Sequence, residues 1–223
     1  MSAVFRINPE IIFFQEIVPA IEAKLKQDAR VDPHPAFPYY TMTAVSKNIK
    51  IVKTDVIGFG NSEMGRNMLC VEGQWWGLKI KLINSHLESM WDHSKKRKAQ
   101  FVQAMEKLRL FSADPNTLAI FGGDLNLRDP EVSNVPPGVQ DAWVAAGSDK
   151  ATKYTWDCKL NDNKNLRANM RCRFDRLFYR APYQKLDFYL TGTEKRKDIG
   201  RFPSDHFAIV CKFAQPLKRF IVK

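Results

Sequence analysis

The tightest constraint on how this chain folds is the alternation in WWGLKIKLINSHL, residues 75–87. Trp76, Leu78, Ile80 and Leu82 fall on one side of an extended chain, and Lys79 and Lys81 on the other, while Trp75-Trp76 also reads as a turn and core pair. That two-residue period belongs to a strand with one buried face. Other runs of strand length are 11–18 (IIFFQEIV), 39–45, 49–58, 67–72, 118–126 (LAIFGGDLN), 174–179 (FDRLFY), 185–190 (KLDFYL) and 206–213 (HFAIVCKF). Residues 94–111 carry Phe101, Met105 and Leu108 at helical spacing and predict a helix. A short helix is expected near 139–146, and residues 2–7 read as the tail of a helix broken at Asn8-Pro9. Asp32 to Pro38 reads as a Pro-rich loop, and most of 130–170 reads as loop too. Many strands and few helices predict an α/β chain of two packed sheets with helices outside them. With no internal repeat or linker, residues 1–215 read as one domain and 216–223 as a basic tail.

Charge narrows the partners. The 223 residues carry a formal net charge of +11, which favours an anionic partner, nucleic acid first and a membrane surface second. At 44% hydrophobic and 26% charged residues, the composition excludes a mainly disordered chain. No apolar run reaches spanning length, and MSAVFRINPE lacks the apolar core of a secretory leader. Cys70, Cys158, Cys172 and Cys211 form neither a CxxC pair nor a zinc spacing. Reduced thiols in an intracellular protein are therefore expected.

The polar residues of interest sit where apolar strands end. Glu16 closes IIFFQ, and an exposed strand-end acid is its plain alternative. His86, in NSHLES, ends the alternating strand; its imidazole could donate to a phosphate oxygen or serve only the structure. In GGDLN, Gly122 and Gly123 permit a sharp backbone path beside a ligand, or simply a turn. Asp124 and Asn126 are two apart and face the same way on an extended chain, an acid for water beside an amide for water or phosphate. Ser204-Asp205-His206 precedes an apolar strand, and Asp205 or the in-strand acid Asp175 could orient His206. Hard oxygen donors without cysteine point to magnesium, with manganese as the alternative. Such a cation, a water-activating acid and two histidines suit attack on a phosphodiester.

FFQE, SHLES, GGDLNLRD, YTWD, RFDR and GRFPSDH, spread from about Val4 to Phe213, resemble the endonuclease/exonuclease/phosphatase superfamily. They are most similar to its members that act on 5′-phosphotyrosyl DNA. The resemblance implies a four-layered α/β sandwich, DNase I-like, with the site at one edge. It implies a magnesium-dependent phosphodiesterase that cuts between a topoisomerase II tyrosine and a 5′ DNA phosphate in DNA repair. It implies that Glu16 binds the metal, Asp124 activates water, Asn126 orients water and phosphate, and His86 and His206 hold the non-bridging oxygens. Asp175 would orient His206, Ser89 would contact phosphate, and Arg128, Trp156, Tyr39, Phe202 and Asp205 would line the substrate groove. The implied partners are single-stranded 5′ DNA ends and a topoisomerase remnant peptide, met by a monomer with no membrane, in the nucleus or with a cytoplasmic pool.

The superfamily's catalytic domain normally opens with a strand ending in Trp-Asn. This chain begins after it, so the expectation is a sandwich without its first strand. The alternatives are a truncated, weak or inactive DNA-binding relative, and a broader DNA endonuclease of the same superfamily. Lys95-Lys96-Arg97-Lys98 reads as a solvated helix start, with a nuclear-import or DNA-touching patch as the rival reading.

Overall fold

The computed structural model describes residues 7–28, 30–36, 41–166, 169–182 and 185–214. Its centre is a six-stranded mixed sheet of order β4-β5-β6-β7-β11-β8. The strands are β4 (Lys50–Gly58), β5 (Asn67–Trp75), β6 (Leu78–Ser85), β7 (Thr117–Asp124), β8 (Gln140–Asp141) and β11 (Asp175–Arg180), while β9 (Trp156–Asp157) and β10 (Arg171–Cys172) form a separate antiparallel pair. β6 and β7 run parallel, and the helix Ser94–Phe111 makes the crossover between them. Its apolar stripe, Phe101, Ala104, Met105, Leu108 and Phe111, is buried against one face of the sheet. There the rings of Phe101, Phe121 and Phe178 pack with centroids 5.3–6.3 Å apart. Truncating any of the three to alanine would cost about 3–5 kcal/mol.

The opposite face carries a second layer in two pieces. One is the antiparallel set β1 (Ile11–Gln15), β3 (Thr41–Ser46) and β2 (Val31–Ala36), in the order β1-β3-β2. The other is the pair β12 (Leu186–Thr191) and β13 (Ala208–Phe213). Leu69, Val71, Ile80, Leu82 and Ile120 meet Ile11, Phe13, Phe188 and Phe213 between the layers. Met68 and Cys70 point instead toward the long helix. A strand buried on both faces carries a continuous apolar run, and MLCV in β5 is one. The helix Pro19–Lys26 buries Leu25 with Ile17 and Met42 outside β1 and β3. Helix, sheet, sheet and helix make four layers. Numbered in chain order, the helices are α1 (Pro19–Lys26), α2 (Ser94–Phe111) and α3 (Ala142–Ala145). Among the described residues β1 pairs with β3 alone and β13 with β12 alone. None of the described helices is long and apolar enough to cross a membrane.

Three expectations are corrected. Residues 31–36, expected mostly as loop, form β2, an edge strand, where prolines that cannot donate to a ladder are tolerated. Trp76 does not share the buried side with Ile80 and Leu82; it sits in the β5–β6 turn at φ 46°, 77% exposed and stacked on Trp75. Gly122 and Gly123 do not form a turn but lie inside β7. The expected helix at 2–7 falls almost wholly outside the described residues, and the tail at 216–223 wholly outside them.

Candidate active site

Topology gathers the polar strand ends. β6 and β7 are parallel, so Ser85-His86 and Asp124 emerge at the same edge. β11 runs antiparallel to β7 with Asp175 opposite Asp124, which brings its first residue to that edge. β1 ends there as well: Gln15 Nε2 donates to Asn84 Oδ1 at 2.7 Å, and Glu16 follows. Asn84, fully buried, donates through Nδ2 to the carbonyls of Met42 at 3.0 Å and Phe14 at 3.3 Å. This one amide pins the two layers together beneath the site. The glycines allow the close approach. A Cβ on Gly123 (φ 130°) would stand 2.1 Å from the Ser85 carbonyl oxygen, and one on Gly122 2.8 Å from that of Arg176.

At the centre, His206 Nδ1 lies 2.7 Å from Asp175 Oδ2, and His206 Nε2 lies 4.0 Å from Asp124 Oδ2. His86 Nε2 is 3.3 Å from the same Asp124 oxygen. The Asp175 backbone N–H donates to the Thr155 hydroxyl of YTWD at 3.0 Å, fixing the start of β11. The Asn126 backbone N–H donates to Asp124 Oδ1 at 3.0 Å, and its side-chain Nδ2 to the Leu87 carbonyl at 3.2 Å. Asn126 holds φ 51°, a left-handed conformation that asparagine tolerates better than most residues.

These environments separate the charges. Burial holds His86 neutral, with Arg66 and His206 adding to the effect, and depresses its pKa to about 2. Burial also disfavours a charged His206, but the charge and hydrogen bond of Asp175, with Asp124 and Asp205, outweigh it and push the pKa up to about 10. Burial first, and then the Asp175 charge, raises Asp124 to about 7, against the opposing pull of His206. The site therefore holds a neutral imidazole, a cationic imidazole and a carboxyl that ionises near neutrality.

The surrounding residues fall into several groups. Ser89 is half-buried with its hydroxyl on Met64 Sδ at 3.2 Å. Arg128 places its guanidinium carbon 4.5 Å from the Trp91 ring and 6.0 Å from the Phe174 ring, and Trp156 packs 5.5 Å from Phe174. Asp205 is 4.0 Å from His206 Nε2 and 3.6 Å from Lys164 Nζ. Phe202, expected to line the groove, is 9% exposed, as Asp124 is, and its ring packs 5.9 Å from that of Phe207. Tyr39 lies outside the described residues.

Sequence reasoning missed Arg66, whose buried charge acts on both His86 and Asp124. A lone arginine ahead of an apolar strand carries no periodic signal. It also misread Arg97. Far from a solvated basic patch, Arg97 is fully buried and paired with Glu131. A strongly basic run on a helix start could have been checked against the helical stripe it would have to join.

The donor chemistry fits a hard cation. Donor atoms of Asp124, Asp175 and His206 lie within 4.8 Å of one another. A protonated His206 cannot ligate, so carboxylate oxygens would carry the coordination. Among the described residues no cysteine belongs to this cluster, so it offers oxygen and nitrogen donors and no thiolate.

Comparison with known proteins agrees with this geometry. Residues 2–206 match the Endonuclease/Exonuclease/phosphatase family. The chain is 46% identical over 212 residues to a 5′-tyrosyl-DNA phosphodiesterase of Caenorhabditis elegans, covering 93% of this chain and 59% of that protein. It therefore spans about three-fifths of that relative's length. The structure superposes on truncated Caenorhabditis elegans tyrosyl-DNA phosphodiesterase 2 with a TM-score of 0.91 at 45% identity, covering 95% of this chain and 87% of that one. It superposes on the Danio rerio enzyme complexed with single-strand DNA product with a TM-score of 0.89 at 34% identity, covering 96% and 89%. The match across nearly the whole chain, together with the Asp124–His206–Asp175 cluster at the sheet edge, places the chain in the Endonuclease/Exonuclease/phosphatase family.

Proposed function

We propose that this chain hydrolyses the bond between a tyrosine and a 5′ DNA phosphate. The observation that carries the reading is the array of Asp124, His86, His206 and Asp175 at one sheet edge, on a chain with a net charge of +11. Asp124, with a pKa of about 7, accepts a proton from the attacking water. Water oxygen then bonds to phosphorus as the bond from phosphorus to the tyrosyl oxygen breaks, and the phenolate leaves and takes a proton from solvent. The cationic His206, held by Asp175, and the N–H of neutral His86 face the charge that builds on the non-bridging oxygens. Asn126, fixed through Leu87, orients water and phosphate. Glu16, with Asp124 or Asp175, would hold magnesium or manganese, which supplies Lewis-acid stabilisation of the phosphoryl oxygens. Arg128 and Trp156 line the path of a single-stranded 5′ end. On the same reading, suggested by the family resemblance, the tyrosyl partner is a topoisomerase II remnant and the place of action the nucleus, with a cytoplasmic pool.

The test is release of tyrosine from a 5′-phosphotyrosyl single-stranded oligonucleotide with magnesium, beside Asp124→Asn and a metal-free control. Metal-dependent release lost in the variant supports the reading. Absence of release by a protein that melts cooperatively overturns it and leaves nucleic-acid binding as the function to examine.

A further inference from the structure

The loop that leaves the site at His86 ends on two large apolar side chains in water, Met90 at 64% and Trp91 at 74% exposure. Single exposed apolar residues are common, but Trp91 is not isolated. The Arg128 guanidinium stands 4.5 Å from its ring and 6.0 Å from that of Phe174. Phe174 in turn lies 6.5 Å from the His206 imidazole. A continuous row of π faces and one guanidinium thus leads from the catalytic histidine out to Trp91.

The row is tied to the fold by hydrogen bonds from buried groups. Fully buried Arg97 donates through Nη1 to the carbonyls of Glu88 at 3.0 Å and Met90 at 2.8 Å. Its Nη2 pairs with Glu131 Oε1 at 2.6 Å, and Glu131 Oε2 accepts the Arg128 backbone N–H at 2.8 Å. One buried ion pair therefore positions both halves of the Trp91–Arg128 stack. Met90 keeps φ 68°, a left-handed backbone that L residues disfavour, and its carbonyl accepts that bond from Arg97. A platform ordered before binding loses less entropy when a ligand settles on it.

We propose that Trp91, backed by Arg128, is a stacking platform for a nucleobase of single-stranded nucleic acid, outward of the reacting phosphate. This rests on the phosphodiesterase reading for its placement along the substrate. A nucleobase fits better than a peptide side chain because the guanidinium beside the indole also attracts the phosphates that flank a base.

The experiment compares wild type, Trp91→Ala and Trp91→Phe with a fluorescent thymidine oligonucleotide of about six residues, measuring anisotropy. Trp91→Ala should weaken binding about 5- to 150-fold, with Trp91→Phe retaining most of the affinity. Unchanged affinity in Trp91→Ala overturns the proposal. In parallel, the kcat/KM penalty of Trp91→Ala should be larger by the same factor on a 5′-phosphotyrosyl oligonucleotide than on a 5′-phosphotyrosyl mononucleotide. Equal penalties overturn it, as does a penalty that grows with the length of the tyrosyl peptide instead of the DNA. If wild type turns over neither substrate but binds the oligonucleotide through Trp91, the phosphodiesterase reading fails and the platform stands.

Discussion

Replacing Arg97 with methionine should be among the most damaging single changes in this protein, and the size of the effect follows from its contacts. The guanidinium is fully buried and Glu131 nearly so. Nε and Nη2 reach the two Glu131 oxygens at 3.2 and 2.6 Å, and Nη1 serves the carbonyls of Glu88, Ser89 and Met90. Methionine fills much of the space but strands a buried carboxylate, a loss of about 3–5 kcal/mol. At about 2–4 °C per kcal/mol for a domain of this size, Tm should fall by about 6–20 °C in scanning calorimetry. The double variant Arg97→Met, Glu131→Met should melt above the single one, because the orphaned charge is gone. It should stay below wild type, because the Arg128 N–H and the Ser94 hydroxyl lose their acceptor, at about 1 kcal/mol each. The sign with pH is also set. Burial works against a charged Glu131, yet Arg97 and the backbone N–H of Arg128 hold its pKa below 4.5. That contribution is present above pH 4.5 and is lost as pH falls through the folded-state pKa, so the gap between wild type and Arg97→Met should narrow in acid. A single variant within 2 °C of wild type, taking ~2 °C as the scale of under 1 kcal/mol, would refute the reasoning.

Asp175→Asn removes a charge that raises both His206 and Asp124, so both pKa values should fall, from about 10 and about 7, when followed by NMR titration, while kcat/KM drops about 10²- to 10⁴-fold; static titrations would sink the proposed coupling. Gly123→Ala forces a Cβ to 2.1 Å from the Ser85 carbonyl oxygen at φ 130°, a backbone atom held in β6 that cannot swing aside, and to 2.8 Å from Gln15 Nε2, whose bond to Asn84 would be disturbed. A loss of about 2–6 kcal/mol in a urea melt is expected, and a neutral result would contradict the packing beneath the site. His86 is buried neutral with its pKa depressed to about 2, so unfolding takes up its proton below pH 6.5. Wild type should therefore lose up to about 1.4 kcal/mol per pH unit from this group as pH falls below 6.5, and His86→Gln should lack that slope in acid melts.

The strands and the long helix were legible in sequence because one face or both must be apolar at a fixed period. The helix at 94–111 and the strands within 49–58, 174–179, 185–190 and 206–213 stand at or within a few residues of where that period puts them. The acids and histidines at strand ends were legible too, since a polar residue at the mouth of a buried run breaks the pattern visibly. Trp76 was legible as part of a turn but not as an exposed ring, because alternation extends its parity past the point where the chain reverses.

What sequence alone determined was which residues could carry chemistry and which segments could be strands. Tertiary structure decided who meets whom. Parallel β6 and β7 with antiparallel β11 set Asp124 opposite Asp175 across 51 positions of chain, from register that no local period encodes. The same long-range packing turned Arg97 from a surface lysine-like charge into the buried tie between two loops. It also set Trp91 against Arg128. Burial and pairing depend on what the rest of the chain brings alongside, and a side chain's identity does not contain that information.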